Sequence, residues 1–181
     1  MILIIIALTV SCSQKGTTHQ STILAEYLDD ITSISIVTLK TIGGILDADA
    51  AVLEAMLARD EEKALHSLSY ELDALELAKA TINSEISKYN DLSPPDEAQK
   101  LHSLVFFSLR YTQSETNMLL AGNTIIYEKF YDQLKNPTMK KDYPDTSQIM
   151  VNGRQMIQDA LDTWGQAGEE TDRLMESLGI K

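Results

Sequence analysis

Between residues 65 and 89 the apolar side chains Leu65, Leu68, Leu72, Leu75, Ile82, Ile86 and Tyr89 follow one another in alternating steps of three and four. Lys79 is the single interruption, standing where an eighth apolar residue belongs. This period is that of a helix packed at a shallow angle on other helices, and not that of a strand. One helix cannot bury such a stripe alone, so the rest of the chain has to supply partners.

The remainder can do so. At 181 residues, 44% of them apolar, the chain is long enough for one domain with a proper core. Glycine and proline are scarce, at 8 and 4, and long alternating β-branched runs are absent, which disfavours a sandwich or barrel. With 27 acidic residues against 15 basic ones the net charge is -12, so nucleic acid is repelled at long range and is not an expected partner.

Taken in order, helix one is expected from about Ser21 to Leu57. Its inward face is Ile23, Leu24, Tyr27, Leu28, Ile31, Ile34, Thr38, Ile42, Ile45, Ala48, Val52 and Met56. Gly43-Gly44 is a place where this helix could kink or divide, giving five helices in all. Asp60, Glu61 and Glu62 read as the acidic first turn of helix two, after a very short turn. Ser93-Pro94-Pro95-Asp96 reads as the start of helix three, with Ser93 as cap and Asp96 completing a capping box. Helix three carries Ala98, Leu101, Val105, Leu109, Thr112, Met118, Leu119, Ile125, Ile126 and Phe130 inward, with Gly122 in the middle of that face. A lysine-bearing loop over 135–147 holds Pro137 and Pro144 and leads to helix four, whose face includes Ile157, Leu161, Trp164, Gly168, Leu174 and Leu178 and which ends at Gly179. Four long helices on short links make an all-α, antiparallel up-down-up-down four-helix bundle, with a coiled-coil hairpin pair as the structural alternative.

The N-terminus points to location. Residues 1–10, MILIIIALTV, are apolar apart from one threonine, and the chain's one cysteine, Cys12, follows Ser11. Ten residues rise about 15 Å as a helix, half of the ~30 Å hydrocarbon core, so the segment has the length of an export signal and not of a span. The sequence then changes abruptly to the polar SQKGTTHQST. LTVSC resembles the lipobox of bacterial lipoproteins, with Leu8 one place further from the cysteine than in the commonest form and with no basic residue ahead of it. The resemblance implies a signal peptide over residues 1–11, a lipid carried on Cys12 and a flexible tether over residues 12–20. It places residues 21–181, the bundle, on a bacterial cell envelope, on the outer face of the cytoplasmic membrane or in an outer membrane. Together with the four helices and the opening of helix three (Pro94, Pro95, Leu101, His102), the chain resembles small uncharacterised bacterial lipoproteins. That group supplies localisation and no site residues.

Chemistry is thinly signalled. A di-iron or di-manganese bundle needs Glu-x-x-His on two helices, and here the nearest pattern is Glu62 and His66, four apart on one helix. His66 stands about 26 residues before the second turn and His102 about nine after it, roughly 25 Å apart in antiparallel rise, so they cannot share one metal. No serine lies in GxSxG. The carboxylate pairs Asp29-Asp30 and Glu169-Glu170 read as solvated faces. Neither an enzyme nor a cofactor is expected. The leading expectation is a non-catalytic module that binds an envelope protein or wall polymer, with candidate contacts at Tyr111, Trp164, Lys140 and Lys141. The alternative is a ligand carrier or sensor whose cavity between the helices is lined by Tyr111, Trp164, Gly122 and Gly168.

Overall fold

The computed structural model describes residues 19–136 and 147–180, with the backbone alone at 134 and 147–154. It is a bundle of four long helices, α1 (His19–Leu57), α2 (Glu61–Asn90), α3 (Gln99–Lys135) and α4 (Ser147–Ser177). No strand occurs among the described residues. Each helix packs on the next, α1 on α2, α2 on α3 and α3 on α4, while the closing edge between α4 and α1 is thin. Contacts across the bundle fix the antiparallel register. Lys63 reaches Glu54 at 3.1 Å, Gln113 donates to Asn83 at 2.7 Å, and Lys100 donates to Glu170 at 2.9 Å. None of the described helices is long and apolar enough to cross a membrane.

α1 is helical from His19 and runs unbroken through Gly43-Gly44, so the division offered as an alternative at the glycines does not occur, and the helix takes in the last two residues of the expected tether. Its buried face is the expected one except at the ends, where Ile23 and Met56 are exposed and Ala55 takes the inward place. The α1–α2 turn closes by a Schellman arrangement. The amide of Asp60 donates to Ala55 O at 3.3 Å, that of Arg59 donates to Met56 O at 3.1 Å, and Arg59 adopts φ 56°. Asp60 then caps α2 by accepting from the Lys63 amide at 3.0 Å. A left-handed, exposed arginine with φ in that region is strained by its Cβ. Arg59→Gly is therefore expected to raise unfolding free energy by about 1 kcal/mol in urea titration.

α2 shows where the spacing and the burial part. The seam is Ala64, Leu68, Glu71, Leu75, Ala78, Ile82, Glu85 and Tyr89, all buried, while Leu65 and Leu72 stand half-buried at its border. Lys79 is no defect in the stripe. Ala78 fills the inward place, and Lys79 points outward with its ammonium 4.0 Å from Glu76.

The second turn corrects one boundary. Ser93 does not cap α3, and residues 92–95 carry no helical structure. Each residue ahead of a proline is pushed out of the helical region, so the Pro94-Pro95 pair delays the start. Pro95 is extended at φ -65° and ψ 159°, and a single 3-10 turn, Asp96–Ala98, leads into α3. Along α3, Ile125 is exposed and Met118, Ile126 and Phe130 are half-buried, whereas Ser108, Glu115, Thr116 and Asn123 join the buried face. On α4, Ala167 is buried in place of the exposed Gly168. The helix ends with Gly179 at φ 71°, a left-handed position at which a Cβ would be strained. One continuous apolar cluster runs through the bundle, from Leu24 and Leu28 on α1 to Trp164 and Leu174 on α4.

Candidate binding groove

Three helices bring their polar aromatic residues together at the end of the bundle where α1 begins. Tyr27 of α1 and His102 of α3 share a hydrogen bond, with Oη and Nδ1 3.0 Å apart. Tyr89, in the last turn of α2, donates its hydroxyl to the His102 carbonyl at 2.7 Å and stacks on the imidazole with ring centroids 4.4 Å apart. The sequence makes this junction directly. Tyr27 and Tyr89 lie on the inward seams of their helices, and the tight α2–α3 connection sets His102 level with Tyr89. Burial raises the pKa of both tyrosines, that of Tyr27 further through Tyr89, and lowers that of His102, so all three rings are held neutral.

Beside this junction a groove of about 380 Å³ opens to solvent, lined by Tyr89, Asn90, Leu92, His102, Ser103, Phe106 and Phe107. Phe106 and Phe107 are 37% and 52% exposed and meet edge to face at 5.7 Å, and the Arg110 guanidinium lies 5.3 Å over the Phe106 ring. The groove's Tyr89 hydroxyl and His102 carbonyl are already bonded to each other, and the His102 ring to Tyr27, which holds that side of the groove in place. The rim is apolar and aromatic. Such a surface suits an apolar or aromatic group.

Neither Tyr111 nor Trp164 lines this groove. Trp164 is a core residue whose indole N–H has no partner among the described residues. Tyr111 is exposed on α3 and does not line the groove. Of the four residues named for a cavity in the alternative reading, Trp164 and Gly122 are buried while Tyr111 and Gly168 are exposed. Lys140, Lys141 and Cys12 lie outside the described residues. A second, smaller hollow of about 290 Å³ sits at the opposite end, between Met56, Arg59, Glu61 and Phe130.

One carboxylate expected on a solvated face is not there. Glu170 is buried and held by Arg173, with Nη2 at 2.6 Å, and by Lys100 at 2.9 Å, which together lower its pKa to about 2, while Glu169 is exposed as expected. His66 and Glu62 are both exposed. No group of three His, Cys, Asp or Glu side chains lies together among the described residues. Phe106-Phe107 was the legible signal for the groove. Successive helical residues point about 100° apart, so two adjacent phenylalanines cannot both enter a narrow seam. Against family models, curated proteins and solved structures, the chain matches none.

Proposed function

We propose that this chain is a lipid-tethered, non-catalytic module of a bacterial cell envelope that binds a protein or wall polymer through the groove beside Phe106 and Phe107. One observation carries the binding part: two solvent-facing phenylalanines flank a groove whose Tyr89 and His102 are already locked by hydrogen bonds to each other and to Tyr27 behind them. A preorganised aromatic surface loses little conformational freedom on binding, which is what favours association. The lipobox-like LTVSC supports the tether at Cys12, and the groove lies at the end of the bundle from which α1 starts, close to where a tether would run. The six residues between Cys12 and the start of α1 reach at most about 22 Å, so partners would lie close to the membrane.

Mass spectrometry of the protein extracted from its own membranes is expected to find an acyl-modified Cys12 as the first residue, and Cys12→Ser is expected to move the protein to the soluble fraction with its helicity intact. A photo-crosslinking residue in place of Phe107 is expected to capture one partner in cells, and the same residue in place of the exposed Tyr70 on α2 to capture none. An unmodified cysteine together with cytosolic fractionation overturns the location, and equal capture at both positions overturns the groove.

A further inference from the structure

α1 carries a second apolar stripe that the described residues leave largely exposed. Ile36, Leu39, Gly43, Leu46, Ala50, Leu53 and Leu57 follow one another in alternating steps of three and four, with no polar residue among the seven. This is the spacing of a helix seam. Ile36, Leu39 and Leu53 are each 41–42% exposed, Leu57 is 79% exposed, Ala50 is exposed, and Leu46 only partly reaches the core. Gly43 and Gly44 sharpen the point. Each costs a helix interior about 1 kcal/mol relative to alanine. A Cβ on either would meet nothing within 4 Å, so nothing in the described fold asks for glycine there.

From these observations we infer that this face of α1 pairs with the same face of a second copy of the chain, antiparallel about a two-fold axis near Leu46. The order of sizes reads the same in both directions: two large residues, a small one, Leu46, a small one, two large ones. Laid antiparallel about Leu46, each copy sets Ile36 level with Leu57, Leu39 with Leu53 and Gly43 with Ala50 of the other. Leu46 then enters a hollow walled by the two small residues, which a larger side chain at 43 would fill. Charge agrees with that direction. Lys40 is the one lysine or arginine of α1, is exposed, and comes level with Glu54 of the other copy, which Lys63 of its own chain meets at 3.1 Å, and Glu54 comes level with its Lys40. Asp47 meets its own counterpart near the axis, an opposing contact that limits the strength.

The size of the contact sets its affinity. From residue 36 to 57 the stripe is about 32 Å long, and a helix face roughly 11 Å wide covers about 350 Å² per copy, or roughly 700 Å² in all. That is below the ~1,200 Å² of a stable complex, so the pair is a weak, reversible one. This face is separate from the aromatic groove, and the pairing depends neither on the groove's role nor on the tether.

Sedimentation equilibrium of the full chain carrying Cys12→Ser, at concentrations from about 10 µM to 1 mM, is expected to show a reversible dimer. Gly43→Gln is expected to weaken it at least tenfold without lowering the melting midpoint, because the added side chain has open space in the monomer. Leu39→Gln gives the same readout at a site already open to solvent, and Asp47→Asn is expected to tighten the pair. In the same background, Ile36→Cys mixed with Leu57→Cys is expected to form the mixed disulfide in preference to either symmetric one. A strictly monomeric chain at 1 mM overturns the inference, as does a dimer indifferent to both Gly43→Gln and Leu39→Gln. Preferential Ile36→Cys self-linkage overturns the antiparallel direction and with it the size-matching on which the inference rests.

Discussion

Urea unfolding at a series of pH values is expected to show stability falling from about pH 4.5 toward pH 8, and Glu115→Met is expected to remove that fall. Glu115 lies on the seam of α3, 1% exposed, and neither carboxyl oxygen has a hydrogen-bond partner among the described residues. The hydroxyls nearest in the chain are occupied. Ser108, Thr112 and Thr116 each donate to the carbonyl four residues back, at 2.9, 2.8 and 2.8 Å. A charge in such a place is not solvated, and burial raises the pKa from 4.5 to about 8. Above pH 4.5 the unfolded chain releases this proton while the folded chain keeps it. Folding is then opposed by about 1.4 kcal/mol for each pH unit until the folded carboxyl itself titrates. By pH 7.5 the loss from this one group is about 4 kcal/mol, a large part of the 5–15 kcal/mol a domain of this size has.

Methionine keeps the volume and removes the proton, so the variant gains most at pH 7 to 8 and little at pH 4. Glu170 acts in the opposite sense. Arg173 first, and Lys100 second, hold it at about 2, so its contribution is present above pH 4.5 and is lost as pH falls through 2. Both cationic partners are more than half exposed, so solvent screens the pair and about 1 kcal/mol is at stake. The two groups together place the stability maximum near pH 4.5 to 5. A flat profile from pH 5 to 8 in the parent protein, or a Glu115→Met variant less stable at pH 8, would falsify the account of a neutral buried carboxyl.

The helices were readable from the chain because their burial follows the three-and-four spacing, which depends on geometry alone. The expected inward residues of α1 are buried from Leu24 to Val52, and α2 ends at Asn90, one residue beyond Tyr89. The seam itself was less readable. Glu71, Glu85 and Glu115 are of a type that marks solvent, yet the apolar residues of the same seam, Leu68 and Leu75 about Glu71, Ile82 and Tyr89 about Glu85, Leu109 and Leu119 about Glu115, fix the helix rotation and carry the acids inward. Glu85 recovers part of that cost by reaching Lys88 at 2.7 Å. The start of α3 was misplaced because Ser93 has the chemistry of a cap while two successive prolines forbid the geometry. The junction of Tyr27, Tyr89 and His102 joins three helices, and no local pattern encodes which residues meet across 75 positions.

Leu75→Ala is expected to cost about 3 to 4 kcal/mol in unfolding free energy, and Leu77→Ala, two residues on, less than about 0.5. The sequence gives the two leucines the same chemistry, and only the rotation of α2 separates them. Leu75 is fully buried in the central cluster, while Leu77 is 70% exposed on the opposite side. Truncating Leu75 removes about three methylene-sized groups and leaves a cavity between helices that long, continuous packing prevents from collapsing, so the cost exceeds the transfer term alone. Leu72 provides the intermediate. It belongs to the stripe visible in the sequence but stands half-buried beside Glu71, which takes the inward place. Its truncation is expected to cost about 1 to 2 kcal/mol, because part of the side chain already contacts water. The order Leu75, Leu72, Leu77 thus reads the seam of α2 directly. A larger loss at Leu72 than at Leu75 would mean that α2 is rotated toward Leu65 and Leu72, with Glu71 turned outward.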